Sequence, residues 1–199
     1  MEAGWTRLEG GDLWGAARAA HEADTHRRYH AFAHPLAMYR HAAETFGFSY
    51  DRHLDRAILT HDVVHDGGPD VELRSALWLR KRLDTPDPEA EAMIRATIDH
   101  VPGRDNRIIL LDLADFMFPE VRRENTRLLA EEARLLHGWD GSAFADRSAA
   151  HLDRLEVRIR DGIPGIDSPR EREWFAAIAE GIRAAARDLR APCPSSPDF

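Results

Sequence analysis

The chain carries 11 histidines, and eight of them fall between His21 and His65: His21, His26, His30, His34, His41, His53, His61 and His65. An even spread would put only about 2.5 of them in that window, by composition arithmetic. Imidazoles gathered this way serve metal binding, proton transfer or anion binding. Two segments set carboxylates where apolar side chains are expected. In Ala57-Ile58-Leu59-Thr60-His61-Asp62-Val63-Val64-His65-Asp66, the polar groups His61, Asp62, His65 and Asp66 stand at offsets 0, 1, 4 and 5, one stripe of a helix. A buried aspartate is costly unless it is paired or bound to metal. The competing reading is a His–Asp hydrogen-bonded pair joining two helices. In the run from Ile108 to Phe118, nine apolar residues enclose Asp112 and Asp115, which face the same way at i, i+3. That run contains no cation. A metal shared with His61 and Asp62 would supply the counter-charge; a helix cap or an arginine partner is the alternative for either aspartate. Two imidazoles and two carboxylates suit one divalent ion of Mn, Fe, Co, Ni, Zn or Mg. The single cysteine, Cys193, excludes a thiolate-rich zinc site and an internal disulfide framework. A site of this kind with an open position acidifies water and clamps a phosphoryl oxygen, so the residues point to hydrolysis.

The elements that must position these groups read as helices throughout, with no period-two strand. Helices are predicted over 11–23, 35–46, 52–64, 71–83, 88–99, 107–117, 120–137, 142–160 and 170–189. Turn chemistry separates them at Gly47, Gly67-Gly68-Pro69, Thr85-Pro86, Pro102-Gly103, Gly138 and Gly162 to Pro169. Asp87-Pro88 and Ser168-Pro169 each read as an N-cap followed by proline at the first helical position. Before Pro35 the chain is pushed out of α geometry, so that helix begins at about His34, and His30 lies in the approach to it. The expected fold class is all-α, a single-domain helical bundle over residues 1–190, with a frayed tail at 191–199.

A length of 199 residues is enough for one domain with its own core. The net charge of −8 argues against general nucleic-acid binding. The basic residues are 26 arginines and Lys81, an arginine bias read as genome composition. No apolar run is long enough to span a membrane, and Met1–Gly11 lacks a leader's basic start and apolar stretch. The cytoplasm is therefore the expected compartment. Trp5, Trp14, Trp78, Trp139 and Trp174 are expected to anchor helix packing. His21, His26, His41, His53, His137 and His151 have no motif context and are expected to be solvated.

Five elements in order carry a family likeness. They are Tyr29-His30-Ala31-Phe32-Ala33-His34, His61-Asp62-Val63-Val64-His65-Asp66, Glu72-Leu73-Arg74-Ser75-Ala76, Thr97-Ile98-Asp99-His100 and Leu113-Ala114-Asp115. Together they resemble the H…HD…D signature of the HD superfamily, most closely its small bacterial branch of predicted metal-dependent phosphohydrolases. The likeness covers about 27–130, with further helices to 190. It implies an HD-type bundle and metal ligands His34, His61, Asp62 and Asp115, with Asp112 the rival for the last position because some members carry a DxD-like arrangement there. His65 stands where the branch often has tyrosine and where some nucleotidase-like relatives have an acid. Val71 stands where asparagine often precedes the glutamate. Both departures fall on the substrate side.

The implied activity is hydrolysis of a small phosphorylated metabolite or nucleotide. His65, Asp66 and Glu72 are the candidates for handling protons, or for orienting a ligand. His30, His100, Arg27 and Arg74 are the candidates for holding substrate; Arg28 is a further one by position, and His100 could instead complete a second metal site. A homodimer is compatible with this reading. Two other readings stay open. His61-Asp62-Val63-Val64-His65 also resembles the HDxxH element of dinuclear iron oxygenases of this superfamily. Those need two further histidines before the last aspartate, and only His100 is available. A non-catalytic, metal-stabilised binding or regulatory module is the other. Thermal stabilisation by a ligand without any product would distinguish it.

Overall fold

Each predicted helix forms, and the chain is all-α among the described residues, which are residue 5 and residues 8–103 and 105–191 of a computed structural model. Of the tail predicted over 191–199, residues 192–199 lie outside the described residues, Cys193 among them. The helices are α1 (Asp12–Ala23), α2 (Ala33–Arg40), α3 (Arg52–Thr60), α4 (Val71–Arg80), α5 (Pro88–Ala96), α6 (Asn106–Leu113), α7 (Pro119–His137), α8 (Gly141–Gly162) and α9 (Pro169–Arg190). Side-chain caps set several starts. Asp87 accepts from the Ala90 N–H ahead of Pro88, and Ser168 from the Glu171 N–H ahead of Pro169, as their sequences predict. Asp51 and Asp140 do the same for α3 and α8.

The core is one cluster. Leu54, Ile58 and Leu59 of α3, Ile94 of α5, Ile108 to Leu111 of α6 and Phe175, Ile178 and Ile182 of α9 are all buried in it. Trp14 belongs to this core, Trp5, Trp78 and Trp174 pack against it, and Trp139 instead lines a cavity. α8 and α9 fold back on each other through the 3-10 turn Ile163–Gly165. α9 also presses directly on the segment after α6. A Cβ at Gly181 would lie 1.9 Å from the Phe116 carbonyl oxygen, so only glycine permits this approach.

Three helices end differently from their apolar patterns, and each difference shapes the site. The helix predicted to Phe46 changes at His41–Thr45 into a π turn. The one predicted over 107–117 tightens after Leu113 (φ −97°, ψ 0°) into the 3-10 turn Ala114–Met117. The one predicted to Val64 stops at Thr60. Beyond it, the Arg27 guanidinium takes the carbonyls of Asp62 (2.7 Å) and Val63 (2.9 Å), while Ser75 Oγ accepts the Val64 N–H (3.1 Å). These side chains replace the partners a further helical turn would have offered. His61, Asp62, His65 and Asp66 therefore do not form one helical stripe.

Candidate metal centre

Four side chains converge from three stretches of chain. His34 sits in the first turn of α2, where Pro35 follows without needing an N–H partner. His61 and Asp62 stand just past the end of α3, and Asp112 in the last turn of α6. His34 Nε2 lies 3.2 Å from His61 Nε2, 3.0 Å from Asp112 Oδ1 and 3.8 Å from Asp62 Oδ2. His61 Nε2 lies 3.1 Å from Asp62 Oδ2 and 3.7 Å from Asp112 Oδ1. Around a cation with bonds of about 2.1 Å, ligand atoms stand about 3.0 Å apart at an octahedral right angle and about 3.4 Å apart in a tetrahedron. The observed separations bracket those values, and this is a group that can hold a metal ion.

The surrounding bonds prepare the donors. His61 Nδ1–H donates to the Ile58 carbonyl at 3.0 Å, which leaves the Nε2 lone pair facing inward. His100 Nε2–H donates to Asp112 Oδ2 at 2.7 Å, leaving Oδ1 for the cluster. To do so His100 holds a left-handed backbone (φ 51°), a conformation costly for a residue with a Cβ. His34 Nδ1 is buried without a hydrogen-bond partner.

The electrostatics ask for a cation. Burial works to raise the Asp112 carboxyl, but His100, His34 and His61 hold it well below the usual carboxylate range. Burial also opposes ionisation of Asp62, and His61 overrides it and keeps this group ionised too. His61 in turn is held well above an ordinary histidine: burial disfavours its charge, but the Asp62 and Asp112 charges prevail. A proton on His61 is the poor substitute for a divalent ion between two carboxylates.

Asp115, which the resemblance nominates as last ligand, is not part of this cluster. It accepts from His41 Nε2–H (2.8 Å) and from Asn125 Nδ2–H (2.7 Å). The tightening at Leu113 is the reason, because it rotates Asp115 off the face it would share with Asp112 in a continuous α-helix.

A second group lies alongside. His30 Nδ1–H donates to Glu132 Oε1 at 2.5 Å, and His65 Nε2–H donates to the same oxygen at 2.9 Å. Glu132 Oε2 accepts the backbone N–H groups of Arg28, Tyr29 and His30. The His30 and His65 rings stack with centroids 3.9 Å apart, and His30 Nε2 lies 4.0 Å from Asp62 Oδ2. Glu132 escaped the sequence reading. Its one signal was position, i+4 from Leu128 and i+3 from Leu129, on the apolar stripe of α7.

The other predicted site residues scatter. Glu72 is half-buried, and its carboxyl is raised by burial and by the Asp62 and Asp112 charges, which puts it within electrostatic reach of the cluster. Asp66 is instead exposed and paired with Arg74, so neither side chain faces the centre. Arg27 is buried, and its donors are taken up by Asp24, His21 and the carbonyls of His30, Asp62 and Val63. It holds the loop that carries Asp62 and has no donor left for a phosphate. Arg28 bonds to Glu131.

Of the histidines expected to be solvated, His21 is buried, while His41, His53 and His26 bond to Asp115, Asp87 and the His65 carbonyl. Only His137 and His151 are exposed.

A cavity of about 680 Å³ opens against His30, His100 and Asp112 and runs between α7 and α8. A smaller one of about 420 Å³ lies on the other side of His34, lined by His41 and Asp115. Among the described residues no helix is long and apolar enough to cross a membrane. Comparison of the chain with family models, characterised proteins and solved structures finds no match.

Proposed function

We propose that the protein is a metal-dependent phosphohydrolase, the activity that its resemblance to the HD superfamily also implies. The observation that carries this reading is the convergence of two imidazole nitrogens and two carboxylate oxygens, one of which, on Asp112, belongs to a side chain that also lines a cavity of small-molecule size. His34, His61, Asp62 and Asp112 would hold one divalent ion. Such an ion, when bound, acidifies water and polarises a phosphoryl oxygen.

The chain's own residues divide the remaining work. His100 fixes the orientation of Asp112. Glu132 fixes His30 with Nδ1 protonated, so its Nε2 lone pair faces the cluster and takes the proton of the attacking water. Glu72, its carboxyl raised by burial and by the Asp62 and Asp112 charges, is the acid assigned to deliver a proton to the leaving ester oxygen as the P–O bond breaks. A dinuclear iron site is the second reading: His30, His65 and Glu132 form a further group that could hold a metal ion, and here Glu132 Oε1 accepts from both histidines.

Metal content of untagged protein, purified without chelator, tests the reading. It expects about one divalent ion per chain, lost in Asp62→Ala, together with phosphate release from a panel of phosphomonoesters. Two irons per chain would turn the reading to oxygenase chemistry. Protein that neither contains nor takes up metal would end it.

A further inference from the structure

The smaller cavity, about 420 Å³, is lined by side chains that form a chain of hydrogen bonds of their own. Its volume falls within the range of small-molecule sites. His41, Thr45, Asp115 and Asn125 all line it. Thr45 Oγ1–H donates to His41 Nδ1 (2.9 Å), and His41 Nε2–H donates to Asp115 Oδ1 (2.8 Å). Asn125 Nδ2–H holds the other Asp115 oxygen at 2.7 Å. Burial works to raise the Asp115 carboxyl, but His41 and Asn125 hold it below its usual range, so it is ionised and only accepts. That fixes the imidazole proton on Nε2 and turns the Nδ1 lone pair to the Thr45 hydroxyl. A hydroxyl on an imidazole that a carboxylate orients is the nucleophile, base and orienter arrangement of covalent catalysis.

Thr45 differs from other helix threonines in where its hydroxyl goes. Thr60, Thr97 and Thr126 each donate to a backbone carbonyl three or four residues earlier, the ordinary habit of threonine in a helix. Thr45 meets a ring nitrogen instead. It ends the π turn His41–Thr45, which Phe46 closes by donating its N–H to the His41 carbonyl. Turns of this kind recur at functional sites. The arrangement also differs from a His–Asp brace such as His53 with Asp87, where the second ring nitrogen meets Glu89 (3.4 Å) and Arg52 (3.3 Å). Phe118 stacks on His41 with centroids 5.5 Å apart and planes 9° from parallel, which keeps the imidazole in place.

We propose that this cavity is a second active centre, independent of the metal, in which Thr45 takes the acyl group of a small carboxylic ester. Thr45 Oγ1 attacks the ester carbonyl carbon while its proton passes to His41 Nδ1. The bond from that carbon to the alcohol oxygen breaks, and the alcohol leaves with the proton. Water then attacks the acyl carbon, passing a proton through His41 to Thr45, and the carboxylic acid is released. Asp115 is the positioning residue for His41. Ala33, Ala37, Val121 and Leu128 give the cavity apolar walls for a short acyl chain. Arg40 lines it too and is the cation assigned to the carbonyl oxygen as it gains charge.

A fluorophosphonate probe on the protein as purified tests this. Thr45 Oγ1 bonds to phosphorus, the P–F bond breaks, and fluoride leaves with the proton. About one adduct per chain is expected, mapped to Thr45 by peptide mass spectrometry and lost in Thr45→Val. His41→Gln should slow labelling by at least about 100-fold. Asp115→Asn should lower the maximal labelling rate by at least about 10-fold, with the half-saturating probe concentration unchanged. Labelling should survive chelator and Asp62→Ala, which separates this centre from the phosphohydrolase reading. Hydrolysis of p-nitrophenyl butyrate, lost in Thr45→Val, is the expected turnover. No adduct on Thr45 under excess probe, labelling that needs the metal, or a labelling rate unchanged by His41→Gln would each overturn the proposal, as would a labelled protein that does not hydrolyse the ester. If His41→Gln does not fold, Asp115→Asn decides, and an unchanged rate there would overturn it.

Discussion

The tautomers of the histidines around the centre are set by oxygens that can only accept. Ile58, Glu132 and Asp112 fix the protons of His61, His30 and His100 respectively. In this scheme Asp112 and Asp115 have separate duties. Asp112→Asn should lower metal affinity by at least about 10-fold. Asp115→Asn should leave metal content unchanged and loosen only this side chain's bonds to His41 and Asn125. Metal analysis of the two variants after dialysis against a weak chelator checks this, and equal losses would contradict the geometry. The sequence offers both aspartates on equal terms, because i, i+3 spacing means a shared face only while the helix stays α. Legibility was better where chemistry is local. His61 and Asp62 could be picked out from polar residues set in apolar surroundings, whereas His34 entered only through the resemblance to the HD superfamily.

His21 carries a pH prediction of its own. Burial, with Arg27 beside it, lowers its pKa from 6.5 to about 4. The unfolded chain then binds a proton below pH 6.5 that the folded chain refuses until about pH 4. Its contribution to stability is complete above pH 6.5 and is lost as the pH falls through that window. Denaturant unfolding at several pH values should show a steeper acid loss in the unsubstituted protein than in His21→Gln, by about 1.4 kcal/mol per pH unit. Parallel pH profiles would remove His21 as the cause.

At the scale of elements, the site depends on where helices stop. α3 ends one residue before His61 because a guanidinium from another part of the chain collects the carbonyls of 62 and 63. That partner, Arg27, lies 35 residues from Asp62 in sequence, so no local pattern announces it. The starts were far more legible, because an Asp-Pro or Ser-Pro pair caps a helix with no help from the rest of the fold. The end of α6 depends likewise on a distant element, the approach of α9 at Gly181 to the Phe116 carbonyl. Gly181→Ala must push α9 away and disturb the segment that follows Asp112. We expect a stability loss of about 2 kcal/mol or more, with weaker metal retention, measured by thermal unfolding and metal analysis. A neutral substitution would mean that α9 adjusts without strain.

At the scale of the whole molecule, the bundle encloses a pair of carboxylates that repel each other until a cation separates them. Adding the cognate divalent ion at 100 times its dissociation constant should contribute about 2.7 kcal/mol. In a chain of this size that raises the melting temperature by about 5–10 °C. Scanning calorimetry with and without chelator reads this shift, which Asp62→Ala should abolish. A shift that persists in Asp62→Ala would place the ion elsewhere.

The same enclosure sets an order of events during synthesis. His34 and Asp112 are 78 residues apart in the chain, about 4–16 s of translation. Glu132, which orients His30, follows later still. A nascent chain that already exposes its first histidine pair has only half a binding site. Under the proposed metal reading, ion capture would therefore be a late step, completed after α6 has left the ribosome, since an N-terminal fragment that stops short of Asp112 lacks one of the four donors.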